Sequence, residues 1–299
     1  MSLNSYQSTL RVGIIQTTIE NTAAWTTSVN MTRYEEERVI SEIQQHVASL
    51  ALETPRPHII LLPELSVPLG FLTRLRRISA QTNAIIIAGM DFQIAPGRPA
   101  ANVLNRAAVI VPNGWGRRDR STRTTVRYVG KTYPAWREEQ FLSGLGYEFQ
   151  RVPEVWVFDA GDFGRFAVAI CYDFLDLERV AMYRLRIQNL FVLAYNPDLS
   201  SFEHAAEALA RMIYCNIVVC NTGHFGGSTV LSPYHRPEKR VLYRHQGNGL
   251  STSQAINLPI ASLIEAQSGG DKGEFKSLPP GAEPKPELKQ FEVNLGMGS

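Results

Sequence analysis

Short apolar runs alternate with amphipathic stretches along the chain as far as residue 266. The runs "RVGIIQT" (11–17), "HIILLPE" (58–64) and "AIIIAGMDF" (84–92) are rich in branched residues and predict buried strands. Between them, "WTTSVNMTRYEEERVISEIQQHVASLAL" (25–52) carries apolar residues at helical spacing and predicts a long helix; "LGFLTRLRRISAQ" (69–81) predicts a shorter one. "NVLNRAAVIVP" (102–112) and "TTVRYVGKTYP" (124–134) read as two strands joined across an arginine-rich turn. Further strands are expected at "VWVFDA" (155–160), "RFAVAICYD" (165–173), "LFVLAYN" (190–196) and "NIVVCNTG" (216–223). The last are "STVLSPY" (228–234), "RVLYR" (240–244) and "SQAINLPI" (253–260), with helices near 175–188 and over 203–215.

Strands apolar on both faces, alternating with helices, predict an α/β protein whose sheets are covered by helices. Strands outnumber helices, which two packed mixed sheets with helices on their outer faces would accommodate. No repeat or linker interrupts residues 1–266, so these are expected to form one domain. Residues 267–299 differ: "QSGGDKGEFKSLPPGAEPKPELKQFEVNLGMGS" is rich in Gly, Pro, Lys and Glu and predicts an extended or disordered tail, or one draped on a neighbouring subunit. Within it, "KQFEVNL" (289–295) alternates as an added strand would.

Composition narrows the class. With 299 residues, 44% hydrophobic and 19% charged, the chain reads as a soluble globular protein. A net charge of only +2 gives no reason to expect nucleic acid or an anionic membrane as partner. "GRRDRSTRTTVR" (116–127) is the local exception and reads as a solvated hairpin tip. Three cysteines, Cys171, Cys215 and Cys220, show no disulfide framework and suggest free thiols in a reducing compartment. No signal peptide or membrane-length apolar run is visible, so a cytoplasmic location is expected.

Candidate chemistry gathers where strands end. "IILLPE" ends on Glu64, "RYVGK" on Lys131 and "FAVAI" on Cys171. Catalytic groups of α/β sheets collect beyond strand carboxyl ends. A carboxylate there can take a thiol's proton and return it to a leaving amine. A lysine ammonium favours the thiolate and can donate to an oxyanion, and the Tyr172 backbone N–H could be a second donor. A strand-end cysteine taken alone is usually packing.

Together, "LLPELS", "GKTYP…EEQFLSG" and "VAICYDF" resemble the three motif blocks of the nitrilase, or carbon–nitrogen hydrolase, superfamily, in order and in spacing. The resemblance runs from "RVGIIQT" to about "INLPI". It implies a four-layer α-β-β-α sandwich, a Glu64–Lys131–Cys171 triad, and homodimers or higher homo-oligomers. It also implies a second glutamate that steadies the lysine; Glu138 and Glu139 both qualify, and Glu139 is preferred. The implied activity is thiol-dependent cleavage of a nonpeptide C–N bond in a small-molecule amide, carbamoyl compound or nitrile, with water as co-substrate and no cofactor or metal. The chain departs from the family after the nucleophile, where "CYDFLDLERV" lacks the usual arginine after the aspartate, and at Tyr214 and Cys215, where a Glu-Asn pair is usual.

Tyr133, Trp136 and Asn196 are expected to line the pocket. The six histidines show no metal-ligand spacing. Two other readings compete. Cys171 could pair with His224 or His235, which would leave Glu64 and Lys131 idle. A hydrolase-like module could serve as a scaffold or regulatory interaction domain.

Overall fold

The structure, a computed structural model, describes residues 6–95, 102–116 and 121–282. Its first part runs β1 (Thr9–Gln16), α1 (Asn21–Ala24), α2 (Arg33–Leu52), β2 (Ile59–Val67), α3 (Leu72–Thr82), β3 (Ile85–Met90) and β4 (Gln93–Ile94). Then come β5 (Asn102–Leu104), β6 (Arg106–Pro112), β7 (Thr124–Gly130), α4 (Trp136–Gly144), β8 (Glu148–Phe149), β9 (Phe158–Asp159) and β10 (Arg165–Ile170). The last part holds α5 (Leu177–Met182), β11 (Asn189–Ala194), α6 (Leu199–Leu209), β12 (Asn216–Asn221), β13 (Thr229–Leu231), α7 (Pro237–Arg240), β14 (Val241–Arg244), β15 (Thr252–Pro259) and α8 (Ala261–Gln267).

Two six-stranded sheets form, in the orders β15-β1-β2-β3-β6-β7 and β14-β13-β12-β11-β10-β9, beside a small β4-β5-β8 sheet. Both large sheets have a parallel centre, β1-β2-β3 and β10-β11-β12, flanked by antiparallel strands. The period-2 alternation of a strand sorts its residues between faces. Ile59 and Leu61 of β2 enter the core between the sheets with Val168, Phe191 and Val219. Ile60 and Leu62 face the other way, against Val39, Ile43 and Leu75 of α2 and α3. Phe202, Ala206 and Leu209 of α6 cover the second sheet. The expected α-β-β-α sandwich is therefore the one observed.

Local chemistry moved several boundaries. The long helix starts only at Arg33, where the Thr32 hydroxyl caps the Glu35 N–H. The 102–112 run breaks at Asn105, its two parts joining different sheets. In 155–160 only Phe158–Asp159 pairs, because Val155, Trp156 and Val157 are exposed. Helices α4 and α8 were not anticipated; each is short and interrupts no obvious period. Residues 268–282, expected within the tail, lie against the domain: Phe275 is buried, stacks on Tyr234 at 4.7 Å and bridges to it. The run 289–295 and part of the arginine-rich turn lie outside the described residues. No helix among those described is long and apolar enough to cross a membrane.

Candidate active site

Strand β2 reaches the site by an irregularity. Its pairing with β3 jumps from Leu62↔Ala88 to Val67↔Met90, so residues 63–66 bulge out of the ladder. Pro63 has no N–H to give the ladder, Leu65 takes a left-handed φ of 53°, and Ser66 Oγ donates to the Pro63 carbonyl at 2.7 Å. Gly89 makes room on β3. A Cβ there would lie 2.1 Å from the Pro63 carbonyl oxygen and 2.4 Å from Glu64 Cα. The bulge turns Glu64 into the space beyond the strand ends.

Lys131 follows β7 directly and is buried. Its Nζ donates to Glu64 Oε1 at 2.8 Å and to Glu138 Oε2 at 2.5 Å. Burial alone would lower its pKa, but the Glu138 and Glu64 carboxylates outweigh that and hold the ammonium well above the usual lysine value. Asn105 completes the cluster, its Nδ2 donating to Glu64 Oε1 and Glu138 Oε1, each at 2.8 Å. The Tyr195 backbone N–H takes the other Glu64 oxygen at 3.0 Å.

The structure brings Glu138, not Glu139, to the lysine. Glu138 is the third residue of α4, whose N-cap, Ala135, has no side-chain acceptor or donor to offer. The Glu138 carboxylate instead reaches back to the Ala135 N–H at 3.1 Å, in the first turn where the helix dipole favours an anion. Its side chain is 9% exposed; that of Glu139 is 55% exposed and turns to Arg151 at 3.9 Å.

Cys171 begins a tight 3-10 turn, Cys171–Leu175, as β10 ends. Its φ of 46° is unfavourable for a residue with a Cβ, and such strain concentrates at functional sites. Asp173 anchors this turn, accepting from the Thr132 N–H at 2.9 Å, the Tyr133 N–H at 2.8 Å and Arg179 Nη1 at 2.7 Å. Burial pushes the Cys171 thiol well above its ordinary value; the Glu64 carboxylate raises it further, while Lys131 opposes both. Burial and the neighbouring carboxylate thus both favour the protonated sulfur over the thiolate. Cys215 and Cys220 are fully buried in the hydrophobic core, where burial raises both thiols.

Glu64, Lys131, Glu138 and Cys171 open into one cavity of about 610 Å³. Trp136, Tyr172 and Asn196 line it as well. Tyr133 does not, because its backbone is drawn to Asp173 and its ring is turned to solvent. Neither His224 nor His235 is among the lining residues, so the cysteine–histidine alternative finds no support in the geometry. Residues that the sequence did not single out, Trp25, Phe92, Phe141, Phe202 and Phe225, add five aromatic rings to the walls. Trp25 Nε1 donates to Asp91 at 2.9 Å, and the Met31 and Phe92 N–H groups bind the same carboxylate. Asn105 had left a trace: an asparagine inside an apolar strand run is a poor strand former.

Comparison with solved structures settles the architecture. The chain superposes on a CN-hydrolase superfamily protein from Xanthomonas campestris with a TM-score of 0.61 and 13% identity, over 88% of this chain and 95% of that one. The fold is that of the nitrilase, or CN-hydrolase, superfamily. Saccharomyces cerevisiae Nit3, a member of branch 10 of the nitrilase superfamily, superposes with a TM-score of 0.63 and 12% identity, over 87% of this chain and 94% of that one. An amidase from Nesterenkonia sp. does so with 0.59 and 14%, over 96% and 97%. No protein-family model and no curated protein matches the sequence. On this nitrilase fold, three elements of the first sheet's side and one of the second deliver the ionisable cluster: β2, β7 and α4 on one, β10 on the other.

Proposed function

We propose that the protein is a thiol hydrolase that cleaves a nonpeptide carbon–nitrogen bond in a small-molecule amide, carbamoyl compound or nitrile. One observation carries this reading. Lys131 Nζ joins Glu64 and Glu138 inside the cavity that also holds Cys171 on its strained turn.

For an amide, Cys171 Sγ attacks the carbonyl carbon as Glu64 takes the thiol proton. The new C–S bond pushes the carbonyl electrons onto oxygen. Lys131 spends two of its three N–H donors on carboxylates, leaving one for that oxyanion, and the Tyr172 backbone N–H supplies another. Collapse breaks the C–N bond, and Glu64 passes its proton to the departing nitrogen, which leaves as ammonia or an amine. Glu64 then deprotonates water, which attacks the thioester. The C–S bond breaks, the thiol regains its proton and a carboxylic acid departs. Glu138 keeps Lys131 charged throughout. Every step draws on these side chains and water.

The expected location is the cytoplasm, where thiols stay reduced, and the expected working form is a homodimer or higher homo-oligomer, which light scattering would check. Ammonia release from a panel of amides, carbamoyl compounds and nitriles tests the activity, with mass spectrometry for an acyl adduct on Cys171. Neither ammonia nor adduct from any member of the panel would reject the reading.

A further inference from the structure

We infer that the acyl part of the substrate is neutral and apolar, large enough to include an aromatic ring, and that Trp25 is a residue that selects it. The inference rests on the hydrolase reading above and names the substrate class of the same cavity.

The first argument is what the walls offer. Trp25 is 7% exposed, and its one polar atom is spent on Asp91. Tyr195 meets it edge-on at 5.9 Å, and the Tyr195 hydroxyl donates away from the cavity to the Ile19 carbonyl at 3.1 Å. Phe92 also meets Trp25 edge-on, at 5.8 Å, and is itself buried. These three residues therefore present carbon to a ligand, with every side-chain polar atom already bonded elsewhere. A ligand group placed against them gains from leaving water only if it is apolar.

The second argument is charge. Glu64, Lys131 and Glu138 together carry two negative charges and one positive, so a further carboxylate brought into the cavity would be repelled. The remaining lining cation, Arg137, is exposed, and Asp198 adds another negative group at the rim. A cationic substrate fares no better. Beyond the carboxylates, the Trp25, Tyr195 and Phe92 walls offer a buried ammonium no acceptor, because every side-chain polar atom there is already bonded.

The third argument is size. A cavity of about 610 Å³ lies in the range for ligands well above two or three heavy atoms, and acetamide would leave most of the aromatic wall untouched.

The test separates binding from chemistry. Binding of phenylacetamide, acetamide, succinamate and 6-aminohexanamide to the Cys171→Ala protein is measured by calorimetry. Wild-type kcat/KM for the same four is read as ammonia release. Phenylacetamide should bind at least about thirtyfold tighter than each of the others, and its kcat/KM should lead by about a hundredfold. In Trp25→Leu the phenylacetamide-to-acetamide ratio of kcat/KM should fall about tenfold. The binding series stands whether or not that variant folds. Equal or tighter binding of acetamide, succinamate or 6-aminohexanamide overturns the inference. Selective phenylacetamide binding without ammonia release from any of the four would uphold the cavity's selectivity and reject the hydrolase reading instead.

Discussion

Asp173 Oδ2 accepts the backbone N–H of Thr132 at 2.9 Å, and this contact ties the turn after the lysine to the turn after the thiol. The same carboxylate holds Tyr133 N and Arg179 Nη1, so it positions Cys171 and Lys131 relative to one another without lining the cavity.

Asp173→Asn should therefore damage both stability and rate. An amide has one acceptor oxygen, and its NH2 would confront a backbone N–H. The cost should be about 1–3 kcal/mol by denaturant titration. Misplaced reacting groups should lower kcat by on the order of tenfold or more. An unchanged kcat in a folded variant would show that the turn holds itself.

Glu138 and Glu139 separate cleanly by substitution. Glu138→Gln should lose on the order of a hundredfold in kcat, because Lys131 loses a carboxylate that keeps it charged and placed. Glu139→Gln, on the exposed face, should stay within about twofold of wild type. Steady-state ammonia release decides between them, and the reverse ranking would reassign the second glutamate.

The three thiols should behave differently. Cys171→Ala should abolish turnover with the fold retained, as read by circular dichroism. Cys215→Ala and Cys220→Ala each leave a small buried void, costing about 1 kcal/mol of stability while most activity remains. Equal losses in all three would remove Cys171 as the nucleophile.

Asp91 predicts a pH dependence of stability. Burial raises its carboxyl from 3.8 to about 6. A carboxyl with a raised pKa binds its proton more tightly in the folded protein than in the unfolded chain. Between about pH 4 and pH 6 the native state thus holds more protons, and stability falls as pH rises through that window. At about 1.4 kcal/mol per unit the fall is roughly 3 kcal/mol, complete above about pH 7. Asp173 is also raised by burial and slopes the same way. Denaturant midpoints for wild type and Asp91→Asn across this range isolate the Asp91 share, and parallel curves would refute it.

Phe275→Ala should destabilise the protein by about 3 kcal/mol, although it lies in a stretch whose composition resembles a tail. Its ring fills the space between Tyr214 and Tyr234 at the base of the second sheet. A thermal midpoint unchanged from wild type would mean the segment is only loosely attached.

What the sequence disclosed and what it hid follow a physical division. The central strands were legible because branched residues buried on both faces leave a continuous apolar run. Glu64, Lys131 and Cys171 stood out because each interrupts such a run. The choice of Glu138 over Glu139 depended on a helix with an alanine cap, which no periodicity announced. Its signal was weaker: Glu138 stands three and four residues before Phe141 and Leu142, which pack inward. Asn105 acts through geometry between two sheets, and the aromatic wall gathers from five separate segments, so neither leaves a contiguous pattern. Arg179, six residues on and carried by α5, pairs with Asp173, a contact that the sequence pattern did not announce.

Glu64 and Lys131 ride on one sheet while Cys171 rides on the other, and no strand is shared between them. On the proposed mechanism the reacting groups form a clasp whose two halves belong to separate plates. A slide of about 1 Å between the plates would part the sulfur from its base while leaving every ladder within each sheet intact. Turnover then acts as a gauge of how the plates are seated. In mild denaturant it should fade before the strands melt.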